Sequence, residues 1–202
     1  MFVQVIEGTT SNPTALKECL ERWQNDLRPG ATGFLGSTEG VGDDGEVMIF
    51  VRFADRASAM ANSQRPEQGE WWDEVEALFD DSPRFHETDD VTEMRHGDEQ
   101  RAGFVQVMEG HVADRTRAQD LEGRADEVLT AMRPDLLAMT TAYFDDGDYA
   151  SVAYFTNERD ARRNESSPMP EGISEQFRDW DEAMPVERYI DLRDPMMIAA
   201  AL

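Results

Sequence analysis

The chain is written twice. Phe2-Val3-Gln4-Val5-Ile6-Glu7-Gly8 returns as Phe104-Val105-Gln106-Val107-Met108-Glu109-Gly110, identical at six of seven positions and displaced by 102 residues. Further matches keep the same order: Asp44-Gly45 with Asp146-Gly147, Phe53 with Phe155, Ala59 with Ala161, Asn62 with Asn164, and Pro66 with Pro168. Leu27-Arg28-Pro29 matches Met132-Arg133-Pro134 three residues out of phase, which predicts a first helix about one turn longer in the second copy. Whatever fold this chain adopts must therefore be a small one built twice. The expected domains are residues 1–97 and 102–202, joined through the polar stretch Arg95 to Arg101.

Each copy parses alike. Phe2 to Glu7 is a short apolar run, read as a strand buried on both faces. Ser11-Asn12-Pro13 is a helix start, a capping polar residue followed by proline at the first helical position. Leu16, Leu20, Trp23 and Leu27 then form one stripe, ended by Pro29-Gly30. Thr32–Glu39 and Glu46–Phe53 read as a hairpin, Asp55 caps a short helix, and a second helical piece carries Trp71, Trp72, Val75, Leu78 and Phe79. A strand from Arg84 to Val91 closes the copy. In the second copy the helix stripe is Ala118, Leu121, Ala125, Val128 and Met132. The hairpin is Leu136–Phe144 with Tyr149–Phe155, Phe177 and Trp180 lie on the last helix, and Arg188–Leu192 is the closing strand.

Strand, helix, strand, strand, helix, strand is the order of the ferredoxin-like βαββαβ unit. Helices cover one face of such a sheet and leave the other bare. Phe2 and Ile6 point to one face, and Val3 and Val5 to the other, so both faces are apolar. The expected class is α+β, two tandem repeats packed sheet to sheet.

Composition narrows the functions. The 43 acidic side chains against 19 basic ones give a formal charge of −24, divided almost evenly as −13 for residues 1–101 and −11 for the rest. Such a chain repels phosphate backbones and anionic bilayers, so neither nucleic acid nor membrane is an expected partner. Hydrophobic residues at 40% are enough to bury a core, which argues against an acidic disordered chain. Cys19 is the sole cysteine, so an internal disulfide and a cysteine-held metal are both excluded, and a reducing cytoplasm fits. The N-terminus lacks the pattern of a signal peptide. The longest apolar run, Met196 to Leu202, is far short of the roughly 20 residues that span a bilayer. Three scattered histidines without metal-ligand spacing predict no metal site.

The FVQVxEG openings, Gly33-Phe34-Leu35-Gly36 after Pro29, and Phe50-Val51-Arg52-Phe53 before a capped helix resemble the dimeric α/β barrel superfamily. The resemblance covers both halves and is to the antibiotic biosynthesis monooxygenase-like branch. It implies that the two repeats form an intrachain pseudo-dimeric α/β barrel, as a monomer or a homodimer. It also implies a pocket for a small hydrophobic or aromatic molecule, and chemistry such as cofactor-independent oxygenation. The alternative is a non-catalytic binding or interaction module of the same fold. Haem-degrading members are similar in using an Asn on the first strand and a Trp with a later His on the last helix. This chain has Gln4 or Glu7 on the first strand and no His in the Trp71-Trp72 helix, so no cofactor is expected.

Few polar residues stand out on the strands. Gln4 and Gln106 each sit among apolar neighbours, where an unpaired amide costs roughly 1–3 kcal/mol. Each therefore needs either a structural hydrogen bond or a ligand. Adjacent helical residues point about 100° apart, so Trp71 and Trp72 divide between core and pocket wall. The substrate-binding candidates are Gln4, Phe34, Trp71, Trp72, Gln106 and Trp180, and His86 is the candidate acid or base in a strand.

Overall fold

The structure is a computed structural model that describes residues 1–168 and 171–200. It divides into two compact units, Met1–Val91 with Asp194–Leu202, and Thr92–Arg193.

The first unit begins with β1 (Phe2–Thr9) and α1 (Pro13–Arg22). Asn12 caps α1 by accepting from the Ala15 amide at 3.3 Å. The helix runs on through a π-helical turn, Trp23–Leu27, and a 3₁₀ turn, Arg28–Gly30. β2 (Phe34–Val41) and β3 (Glu46–Phe53) form the hairpin. At its turn Gly45 holds φ at 82°, where an added Cβ would lie 2.8 Å from the Thr10 carbonyl oxygen. α2 (Arg56–Ser63), α3 (Pro66–Glu76) and β4 (Arg84–Thr88) complete the copy. The expected strand to Val91 breaks at Asp89-Asp90. The chain re-enters a strand as β5 (Val91–Arg95), which belongs to the other sheet.

The second unit repeats the order as β6 (Phe104–His111), α4 (Arg115–Met132), β7 (Leu136–Tyr143), β8 (Asp148–Phe155), α5 (Glu158–Glu165), α6 (Glu171–Ala183) and β9 (Val186–Leu192). Its first helix is α-helical throughout, and Asp114 caps it at 2.9 Å from the Arg117 amide. Replacing Asp114 by alanine is expected to lower stability by about 1 kcal/mol, read as a shift in the urea midpoint, because one helix N–H loses its acceptor. The tail then forms β10 (Met196–Ala199).

The sheets run β10-β2-β3-β1-β4 and β5-β7-β8-β6-β9. Each is the antiparallel ferredoxin-like order with a fifth strand supplied by the other half of the sequence. Both added strands sit at sheet edges, where unpaired backbone groups would otherwise be exposed. The apolar tail is thus an edge strand whose Ile198 is fully buried opposite Ser37. The domain boundaries follow this exchange, at 91/92 and 193/194, instead of a single cut near residues 97–102.

Helices and sheet enclose one apolar layer in each unit, and the two layers are filled differently. In the first, aromatic rings stand in succession: Trp23 lies 5.0 Å from Phe34 and 6.2 Å from Trp71, and Trp71 lies 6.1 Å from Trp72. Trp23 is eleven residues beyond its N-cap. The residue eleven beyond the second N-cap is Ala125. Phe34, opposite Phe53, is likewise matched by the smaller Leu136 opposite Phe155. The second unit therefore lacks the side chains that fill the first.

Candidate functional site

That missing volume is a cavity of about 330 Å³ in the second unit. Gln106 and Met108 of β6, Met139 of β7, and Ser151, Ala153 and Phe155 of β8 line it from the sheet. Leu121, Ala125, Val128 and Met132 of α4 and Phe177 and Trp180 of α6 line it from the helices. Tyr149 and Tyr189 also border it. The size is within the range of small-molecule pockets, and the wall is mainly apolar in area, with Arg124, Arg133, Glu165, Asp179 and Asp181 among its polar members.

Most of those polar groups are already engaged. Tyr149 donates to the Met184 carbonyl at 3.2 Å, and burial pushes its phenol above the ordinary range. The Ser151 and Thr141 hydroxyls share a hydrogen bond of 2.7 Å. Asn164 donates to Asp135 at 2.6 Å, and Arg133 holds the other oxygen of that carboxylate at 2.9 Å. Gln106 donates from Nε2 to Asp191 at 2.9 Å. Its own carbonyl oxygen has no partner among the described residues, and the residue is only 5% exposed. That oxygen is not one of the fully buried side-chain atoms left without a partner, so it keeps access to open space as an acceptor.

Gln4 and Gln106 occupy one repeated arrangement. Gln4 is paired across the sheet with Glu87 and donates to it at 2.8 Å, while Arg56 holds the same carboxylate at 3.1 Å and lies 4.6 Å over the Phe2 ring. Gln106 is paired with Asp191, which Arg162 also contacts, and Arg162 lies 5.1 Å over the Phe104 ring. Both amides thus bond across neighbouring strands. Glu7 and Glu109 pair similarly with Arg84 and Arg188, so these repeated acids are ion-paired and largely buried, not free strand ends.

The other first-copy candidates lie elsewhere than the cavity. Phe34 packs between Trp23 and Phe53. Trp71 is buried and donates its indole N–H to the Cys19 carbonyl at 2.9 Å. Trp72 is half-buried against Phe79 and Phe85. His86 is paired with Val5, so it faces the opposite side of the sheet from Gln4, with Nε2 3.9 Å from Glu7. Gln4 and His86 therefore lie on opposite faces of the sheet. Of the seven candidates, the structure brings Gln106 and Trp180 together on the cavity wall.

The residues missed were the small and flexible ones: Ala125, Met108, Met132 and Met139. Trp23 against Ala125 in the aligned copies was the available signal. Among the described residues, no group of His, Cys, Asp and Glu is arranged to hold a metal, and no helix is long and apolar enough to cross a membrane.

No family model matches the chain, and no curated protein matches it by sequence. Solved structures do match its fold. A "putative monooxygenase" from Fusobacterium nucleatum aligns with a TM-score of 0.75 at 10% identity, covering 100% of this chain and 95% of that one. Another so described, from Lactobacillus acidophilus, aligns at 0.71 with 12% identity over 100% and 97%. An anthrone oxidase-like protein aligns at 0.66 with 11% identity over 100% and 96%. Single-domain structures described as putative antibiotic biosynthesis monooxygenases cover less than half of this chain. The end-to-end alignments and the two five-stranded sheets agree: by fold, this chain is similar to the tandem monooxygenase-like proteins of the ferredoxin-like class.

Proposed function

We propose that the second unit binds a flat, largely apolar small molecule of aromatic or polyketide type, and that the protein is a monooxygenase-like enzyme working on it without a cofactor. The observation that carries the reading is the largely apolar cavity with Gln106 on its wall, an amide whose NH₂ is held by Asp191 and whose carbonyl oxygen accepts no hydrogen bond from the described residues. Likeness of fold to proteins described as monooxygenases and as anthrone oxidase-like supports the oxygenase part. In such a reaction the substrate itself reduces dioxygen. One oxygen atom becomes a ring carbonyl, and the other leaves as water with the two displaced hydrogens.

A second reading, a binding protein without turnover, is favoured by one observation: the Tyr149 and Ser151 hydroxyls on the cavity wall are held in hydrogen bonds within the protein. Calorimetric titration of hydroxylated two- and three-ring aromatics, with oxygen uptake followed at an electrode, separates the readings. The enzyme consumes one dioxygen per ligand; the binder takes up ligand and no oxygen. Gln106→Leu is expected to weaken binding about tenfold by removing the polar anchor. Failure of every such aromatic to bind would sink both readings.

A further inference from the structure

We infer that Asp191 is a positioning residue that fixes which end of the Gln106 amide faces the cavity, so that the cavity selects ligands able to donate a hydrogen bond over isosteres that only accept one. This rests on the proposal that the cavity is a small-molecule site.

An amide side chain can present either its NH₂ or its carbonyl, and the partner decides which. Asp191 lies directly across the sheet from Gln106 and receives its Nε2 at 2.9 Å. The other carboxylate oxygen is engaged by Arg162, with Arg193 at 3.5 Å. An ion-paired carboxylate only accepts. Turning the amide over would set two oxygens against each other, so Nε2 stays on Asp191 and Oε1 is left over. That oxygen belongs to a residue that is 95% buried by its 5% exposure, lines the cavity, and has no other partner among the described residues. Two other donors on the cavity wall are used elsewhere: the Tyr149 hydroxyl on main-chain carbonyls, and the Asn164 NH₂ on Asp135. A ligand hydroxyl or N–H meets a waiting acceptor. A ligand carbonyl in the same place leaves two acceptors facing each other. The first unit holds the same cross-strand device in Gln4, Glu87 and Arg56, so the orientation comes from the sheet register and not from an accident of one side chain.

The test uses the full chain and two probes of similar size, 1-naphthol and 1-tetralone, titrated calorimetrically. The native protein is expected to prefer 1-naphthol roughly tenfold. Asp191→Asn keeps the shape but adds a donor. Arg162 requires the new amide's oxygen, which turns its NH₂ toward Gln106. The Gln106 amide then reverses and offers Nε2 to the cavity, and the preference is expected to shift to 1-tetralone. A merely structural role for Asp191 would weaken both probes alike, and that result overturns the inference. Gln106→Leu is expected to bind both probes equally, and a retained 1-naphthol preference would also overturn it. If neither probe binds any form, the cavity is not a ligand site, and the inference falls together with that reading.

Discussion

Trp23→Ala is expected to destabilise the first unit by about 3–5 kcal/mol, while the mirror change Ala125→Trp is expected to abolish the ligand binding proposed for the second. Trp23 is 5% exposed, touches Phe34 and Trp71, and donates its indole N–H to Gln68 at 2.7 Å. Its removal leaves a void among rigid rings and an amide without its partner. Ala125 occupies the matching turn of α4 and faces about 330 Å³ of open space. An indole placed there enters that space instead of displacing packed atoms, so the usual overpacking cost is reduced. The measurements are urea unfolding for both variants and calorimetric titration with 1-naphthol. Unchanged affinity in Ala125→Trp would show that the ligand sits elsewhere. The graded series Ala125→Leu and Ala125→Phe gives the same reading through progressive loss of affinity should the tryptophan variant fold poorly.

Glu39→Gln is expected to stabilise the protein by about 3 kcal/mol above pH 8 and to leave it nearly unchanged near pH 4. Glu39 sits on β2 opposite Ile49 and Met196, 5% exposed. The Ser37 hydroxyl donates to one of its oxygens at 2.7 Å, and the other is buried with no hydrogen-bond partner among the described residues. Loss of solvation, only partly offset by Ser37, pushes its carboxyl up to about 7. A folded-state value above the unfolded one means that the contribution to stability is complete below about pH 4.5 and is lost as pH rises through about 7. The native protein should therefore weaken across that window relative to the glutamine variant. Urea midpoints of the two proteins measured from pH 4 to 9 provide the check, and parallel curves would refute the prediction. The matching residue of the second unit is Thr141, satisfied by Ser151 at 2.7 Å, so the liability belongs to one copy.

Much of the fold was legible because it rests on local chemistry. Asn12 and Asp55 cap helices where side-chain oxygens precede apolar stripes, and Gly45 and Gly147 turn hairpins at positive φ. The two added edge strands were not legible. Val91–Arg95 reads as the tail of one strand and Met196–Ala199 as an apolar terminus, because choosing a sheet edge depends on backbone partners far away in sequence. Glu39 was missed for a related reason: an acid near a strand end reads as exposed until the strand beside it, β10, is known.

The first-copy candidates rest largely on big aromatic side chains. Large aromatics mark where volume is filled, and Trp23, Phe34 and Trp71 fill it. A cavity is marked by what is small, and only the folded chain sums the volumes of α4, α6 and the sheet into open space. The sequence by itself determined the duplication, the order of elements in each copy, and the need of Gln4 and Gln106 for partners. The tertiary structure alone decided which copy is hollow, which strands complete each sheet, and which way the Gln106 amide faces. Repeats and caps are set by neighbours along the chain, whereas cavities, edges and amide orientation are set by atoms that meet only after folding.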